Sequence, residues 1–327
     1  MMRTIAVLLA VACAVAFAHA EGRQKEVAPA RRAVVLTTDC GADMDDQWAL
    51  AQLALTPELE LRGVVTTHAP TPRLPAPAAE SSARCAREVL AHLPLKRRPV
   101  VIAGSSVPLE SKSAPLRNAG VDFILRESKP YTRARRLALL VTGAGTDVAS
   151  ALLVDSTLAD RVEIVAMGFS GWPKGGNEWN VKNDVHAWQA ILDSGAEVVV
   201  GDTATTARDL TVTREGARAL FAAEGDAGRY LAGLHTAWLD SEARLCEEIT
   251  GSRDAWPVWD QVTVAYLLGL TQSKKFPRPA LSDDMRFVHG AAEAARGPAV
   301  KWVISIDSER LWARFVRDLR KAMMNAE

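Results

Sequence analysis

Six short apolar runs, separated by segments of helical length, constrain the fold of this chain more than any other feature. They occupy residues 34–38, 61–66, 100–102, 137–142, 162–167 and 197–200. Between them lie helix-length segments at 45–55, 82–93, 146–153 and 185–193. A strand that is apolar along its whole length is buried on both faces, and the intervening helices supply the cover. The expected fold is therefore α/β: an open, mainly parallel, Rossmann-like sheet with helices on both faces. From about residue 213 onward the chain reads as mostly helical, with amphipathic stretches over 227–250 and a final helix at 309–326.

The N-terminus reads differently. Residues 1–20, MMRTIAVLLAVACAVAFAHA, carry one early charge at Arg3, an apolar stretch over 5–17 and a small-x-small end at Ala18-His19-Ala20. This pattern predicts a secretory signal peptide cleaved before Glu21 and an exported protein, periplasmic or secreted. The apolar stretch is shorter than the roughly 20 residues that a membrane-spanning helix needs. One domain is expected over 33–327. Lys plus Arg and Asp plus Glu both total 39, so charge makes no case for nucleic acid or an anionic membrane. Beyond the leader stand Cys40, Cys85 and Cys246. Without any Cys-x-x-Cys they make neither a disulfide framework nor a zinc site. One bridge is compatible with an oxidising compartment, and the sequence does not pair it.

Chemistry concentrates directly after the first apolar run, in TTDCGADMDDQWAL (37–50). Asp39, Asp43, Asp45 and Asp46 crowd onto one strand end. Acidic residues in a first helical turn gain about 0.3–1 kcal/mol each from the helix dipole. That accounts for one or two of them, not four. A hard cation with oxygen ligands, Ca²⁺ or Mg²⁺, offsets the repulsion. The spacing is not an EF-hand, because Gly41 and Met44 fall where an acid and a glycine are required. Two flanking features are expected to border this end of the sheet: the proline-rich run 69–79 (Pro70, Pro72, Pro75, Pro77) and His68 after the second strand. Asp147 is expected to cap a helix, Asp283-Asp284 to be solvated, and Trp48, Trp188, Trp302 and Trp312 to pack in the core.

These residues resemble the calcium-dependent nucleoside hydrolases of the inosine-uridine preferring type, and a divergent nucleoside-hydrolase-like branch in particular. Further segments follow in the family's order: GVVTTHAP (63–70), VIAGSSVPL (101–109), AGVDFIL (119–125), TGAGTDVASAL (142–152), the stretch 165–192 containing GGNEWN, and WPVWDQVTVAYLL (256–268). The resemblance implies a Ca²⁺ ion held by Asp46, the Thr146 carbonyl and Asp260, with Asp39 or else Asp43 completing the set. It implies that Asp45 binds a ribose hydroxyl, that Asn177, Glu178 and Asn180 hold the sugar, and that Met167 floors the pocket. Trp179 and Trp259 would stack on the sugar or on the leaving group.

The implied reaction is hydrolysis of the N-glycosidic bond of a nucleoside or related N-riboside to free sugar and base. Its transition state is an oxocarbenium-like sugar stabilised by anionic oxygens. The implied partner is a small nucleoside or sugar, and the family's dimers and tetramers imply a homo-oligomer. The chain departs from the family where the water-activating aspartate belongs, four residues before Asp45-Asp46, at Gly41. Asp43 or Asp39 then takes the role of general base. Trp259 stands at the place of a late histidine, and Pro70 at that of an asparagine. The alternative is a non-catalytic, metal-dependent carbohydrate- or nucleoside-binding protein.

Overall fold

The computed structural model describes residues 31–289 and 297–326. The leader expected over 1–20 lies outside the described residues. An eight-stranded sheet organises the chain: β1 Arg32–Thr38, β2 Leu59–Thr66, β3 Val100–Ala103, β4 Leu137–Thr142, β5 Val162–Met167, β6 Glu197–Gly201, β7 Thr271–Phe276 and β8 Val300–Ile306. Their order across the sheet is β3-β2-β1-β4-β5-β6-β8-β7. Every pairing is parallel except that of β7 with β8. All six apolar runs are strands, and the helices Asp45–Leu55 and Val185–Asp193 fall where expected.

The alternation within β1 divides the core. Val34 and Leu36 face a cluster with Trp48, Phe221 and Phe315, while Ala33 and Val35 face another with Phe169, Trp188 and Trp302. Leu36 is fully buried and contributes about 1.5–3 kcal/mol by leaving water. It pairs with Val64 of β2 on one side and Leu140 of β4 on the other. The strand order reverses at β1 and β4, so their carboxyl ends open a crevice where ligands of such sheets bind.

Two expectations are corrected here. The region after residue 213 is not simply helical, because β7 and β8 complete the sheet. The sequence of β7, TQSKKF, is polar and largely exposed, which suits an antiparallel edge strand with no apolar signal. In β8, Lys301 interrupts the apolar run, and its ammonium is absorbed by Glu163 at 3.0 Å. Asp147 does not cap its helix. Its carboxylate accepts from the Ser105 amide at 3.0 Å, the Ser105 hydroxyl at 2.8 Å and the Asn118 amide at 2.8 Å, and so ties down the loop after β3. No helix among the described residues is long and apolar enough to cross a membrane.

Candidate active site

The turn after β1 is built by one glycine. Gly41 has φ +99°, a left-handed conformation that costs a glycine little. The Ala42 amide donates to the Asp39 carbonyl at 2.9 Å, which folds the chain back and starts a helix at Asp45. Asp45 and Asp46 thus occupy the first turn of that helix, at the positive end of its dipole. Asp260 arrives from far away in sequence. The short strand Ala255–Pro257 pairs antiparallel with Thr211–Thr213 and delivers Asp260 to the start of helix Gln261–Leu267.

Asp45, Asp46 and Asp260 offer carboxylate oxygens that all lie within 4.8 Å of one another. All three are buried, as is Asp39. The Asp46 Oδ1 accepts from the Thr38 hydroxyl and from the Thr142 hydroxyl at 3.0 Å. The Asp45 Oδ2 accepts from the Asp260 amide at 3.2 Å. The Asp39 Oδ2 is buried and makes no hydrogen bond of good geometry among the described residues. None of these carboxylates has a Lys or Arg partner among the described residues. Burial and mutual repulsion hold the Asp39, Asp45 and Asp260 carboxyls well above the usual range, and burial raises Asp46 to about 6. Hard oxygen donors, an orphaned acceptor and uncompensated charge are the requirements of a divalent cation site, and these residues fit one.

Beside this cluster opens a cavity of about 380 Å³. Asp39, Asp43, Asp45, Asp46, Met167, Asn177, Glu178, Trp179, Asn180, Trp259 and Asp260 line it, which brings together most of the residues singled out in the sequence. Glu178 caps helix Trp179–Asn183, accepting from the Asn180 amide at 3.1 Å and the Val181 amide at 3.0 Å. Burial raises its carboxyl to about 7 despite those bonds. The Asn180 side chain donates to the Met167 carbonyl at 3.2 Å. Trp179 is 46% exposed, a large aromatic surface facing the opening.

One expected residue stands elsewhere, and another is turned to a neighbour. His68 does not reach the cavity. Its Nε2 lies 3.1 Å from the Thr146 hydroxyl, which donates to Asp184 at 2.7 Å, and burial lowers the imidazole pKa. Thr146 is buried in the same group, where its hydroxyl is engaged, while the donor expected of this residue is its backbone carbonyl. Asp43 lines the cavity but is turned to Trp256, whose indole nitrogen lies 2.9 and 3.1 Å from its two oxygens.

The proline-rich loop borders the site as expected, with Thr71 and Arg73 lining the cavity. Sequence reasoning missed the far wall, which Trp238, Glu242, Leu245 and Ile249 supply. Arg73 pairs with Glu242 and sits 4.6 Å above the Trp238 ring, so the loop is fastened across the site. Leu245 and Ile249, one helical turn apart and exposed in an otherwise charged helix, were the available signal.

Solved structures share this architecture. A plant nucleoside hydrolase aligns over 88% of this chain and 99% of its own, at 18% identity and a TM-score of 0.67. A purine-preferring ribonucleoside hydrolase from Gardnerella vaginalis aligns over 89% and 99%, at 18% identity and a TM-score of 0.68. An inosine-uridine preferring nucleoside hydrolase from Bacillus anthracis covers the same shares at 18% identity, with a TM-score of 0.64. No curated protein matches the sequence. The sequence model that does match runs from residue 34 to 313, from the first strand to the final helix. The chain belongs to the inosine-uridine preferring nucleoside hydrolases, a family of hydrolases acting on N-glycosyl bonds.

Proposed function

We propose that this chain is an exported, Ca²⁺-dependent hydrolase that cleaves the N-ribosyl bond of a nucleoside or a related N-riboside. The observation that carries the reading is the convergence of four buried carboxylates, without a Lys or Arg partner among the described residues, in the wall of an aromatic-lined cavity. Asp45, Asp46 and Asp260 would hold the ion, with Asp39 and the Thr146 carbonyl as the further donors that the family resemblance implies. When bound, a divalent cation offsets the carboxylate repulsion, orients hydroxyl oxygens and acidifies water.

The residues then divide the work. Asp39 is the better general base, because its Oδ2 has no partner while both oxygens of Asp43 face Trp256. Asp45 accepts a ribose hydroxyl, and Asn177, Glu178 and Asn180 hold the remaining hydroxyls in line for attack. The surrounding anionic oxygens stabilise the positive charge that develops on the sugar. Trp179 and Trp259 offer faces on which a departing base stacks.

One observation favours a second reading, a cation-dependent sugar or nucleoside binder. At Gly41, where the family carries its water-activating acid, the space for a side chain is filled by Cys85 and Leu74. Purified protein incubated with a nucleoside panel and nitrophenyl riboside, with Ca²⁺ or with chelator, separates the two. Calcium-dependent release of base or nitrophenol supports the hydrolase. Stabilisation by Ca²⁺ and ribose with no turnover of any substrate supports the binder. Export is tested separately by mass analysis of the mature N-terminus, expected at Glu21.

A further inference from the structure

Two thiols meet underneath the aspartate turn. Cys40, between Asp39 and Gly41, has its Sγ 3.4 Å from the Sγ of Cys85 in helix Ala78–His92. Cys40 is fully buried and Cys85 half-buried. The approach is built into the turn: a Cβ placed on Gly41 would lie 3.2 Å from the Cys85 sulfur and 3.3 Å from its Cβ. The glycine therefore lets the strand-end backbone rest directly on Cys85. A disulfide needs a sulfur separation of about 2.05 Å, so closure asks for a movement of only about 1.4 Å, shared between two side chains. Cys246 is buried and has no sulfur partner among the described residues.

We propose that Cys40 and Cys85 form a disulfide that clamps the cation-binding turn onto helix Ala78–His92. The oxidant is a disulfide, of small-molecule or protein origin, as found in oxidising compartments. The half-buried Cys85 sulfur attacks it, displacing one thiol and forming a mixed disulfide. The Cys40 sulfur then attacks Cys85 and displaces the second thiol. Two protein thiols and one disulfide become one protein disulfide and two thiols, so electrons and protons balance. The bond closes a loop between residues 45 apart in sequence, which restricts the unfolded chain, and it pins the backbone that carries Asp39. This holds whether the turn serves a hydrolase or a binder.

The full chain is incubated with oxidised glutathione or with dithiothreitol, then denatured, alkylated with a maleimide, digested and analysed by mass. After the oxidant, the peptides of Cys40 and Cys85 are expected to be joined, with the loss of two hydrogens, while Cys246 is alkylated under both conditions. Reduction is expected to lower Tm by about 5–10 °C, a shift absent from Cys85→Ser. Free, alkylated Cys40 and Cys85 after oxidation would overturn the proposal, as would a glutathione adduct persisting on Cys85 or a Tm that reduction leaves unmoved. If Cys85→Ser does not fold, the wild-type peptide map and its Tm decide alone.

Discussion

The Trp256 indole nitrogen sits between the two carboxylate oxygens of Asp43, 3.1 and 2.9 Å away, and so engages an aspartate that is not among the three, Asp45, Asp46 and Asp260, whose oxygens converge. An aspartate held in this way is a strut between the β1 turn and the strand that delivers Asp260. Asp43→Asn keeps an acceptor for the indole and is expected to lower kcat less than about tenfold. Asp39→Asn removes the unpartnered oxygen and is expected to lower kcat by about a thousandfold or more. Trp256→Phe leaves a half-buried carboxylate short of a donor and is expected to cost about 1–3 kcal/mol. Steady-state kinetics and denaturant unfolding of the three variants decide. Equal loss of kcat in Asp43→Asn and Asp39→Asn would refute the assignment.

Cation binding and pH are linked through the same carboxylates. Without the ion, the folded state holds protons more tightly than the unfolded chain: Asp46 is raised from 3.8 to about 6 and Asp43 to about 8, chiefly by burial. Stability from these groups is fully present below about pH 4 and is lost as pH rises toward 8. In chelator, Tm is therefore expected to fall as pH rises through this window. Ca²⁺, which binds the deprotonated carboxylates, is expected to raise Tm most at the alkaline end. A Tm identical with Ca²⁺ and with chelator at pH 8 would eliminate the cation site. Asp260→Asn is expected to weaken Ca²⁺ binding at least tenfold by calorimetry.

A second acid-sensitive element lies in the core. His235 is fully buried beside the Trp48 ring, neither ring nitrogen makes a hydrogen bond of good geometry among the described residues, and burial lowers its pKa from 6.5 to about 4. The folded state here refuses a proton that the unfolded chain accepts. Its contribution is intact above about pH 6.5 and is lost as pH falls toward 4, by about 3 kcal/mol in all. Comparing His235→Leu with the wild type in urea at pH 7 and pH 4.5 isolates this term. The variant is expected to lose less stability on acidification, and parallel losses would exclude His235 as the cause.

The sequence is most legible where physics is local. Continuous apolar runs marked β1 to β6, and an acidic pair after a strand marked the start of helix Asp45–Leu55. Polar β7 and the lysine-interrupted β8 carried no such signal, because their partners, each other and Glu163, are distant in sequence. The same holds for the site. Asp39, Asp45 and Asp46 announced themselves as a cluster, and motif order pointed to Glu178, Asn180 and Asp260. The roles of Asp43 and His68 depended on Trp256 and on the Thr146–Asp184 pair, contacts that no spacing reveals. The Arg73–Glu242 fastening of the proline-rich loop was equally out of reach.

Gly41 shows how far such packing decides chemistry. Restoring the family's acid by Gly41→Asp looks like a repair in the sequence, yet the residue has φ +99° and its Cβ would meet Cys85 Sγ at 3.2 Å and Leu74 Cδ2 at 3.3 Å. A left-handed conformation costs a β-carbon residue about 1–3 kcal/mol, before those neighbours give way. The new carboxylate would also add a fifth acid to a turn that already concentrates four. Gly41→Asp is therefore expected to lower Tm, by roughly 5 °C or more, and not to raise kcat. Under reducing conditions, where no Cys40–Cys85 bond contributes, adding Cys85→Ala relieves the contact and is expected to recover part of the Tm but no activity, because the backbone conformation persists. A double variant with faster turnover than the wild type would mean that the turn relaxes to seat the acid, and that Asp39 is not the base on which this chain depends.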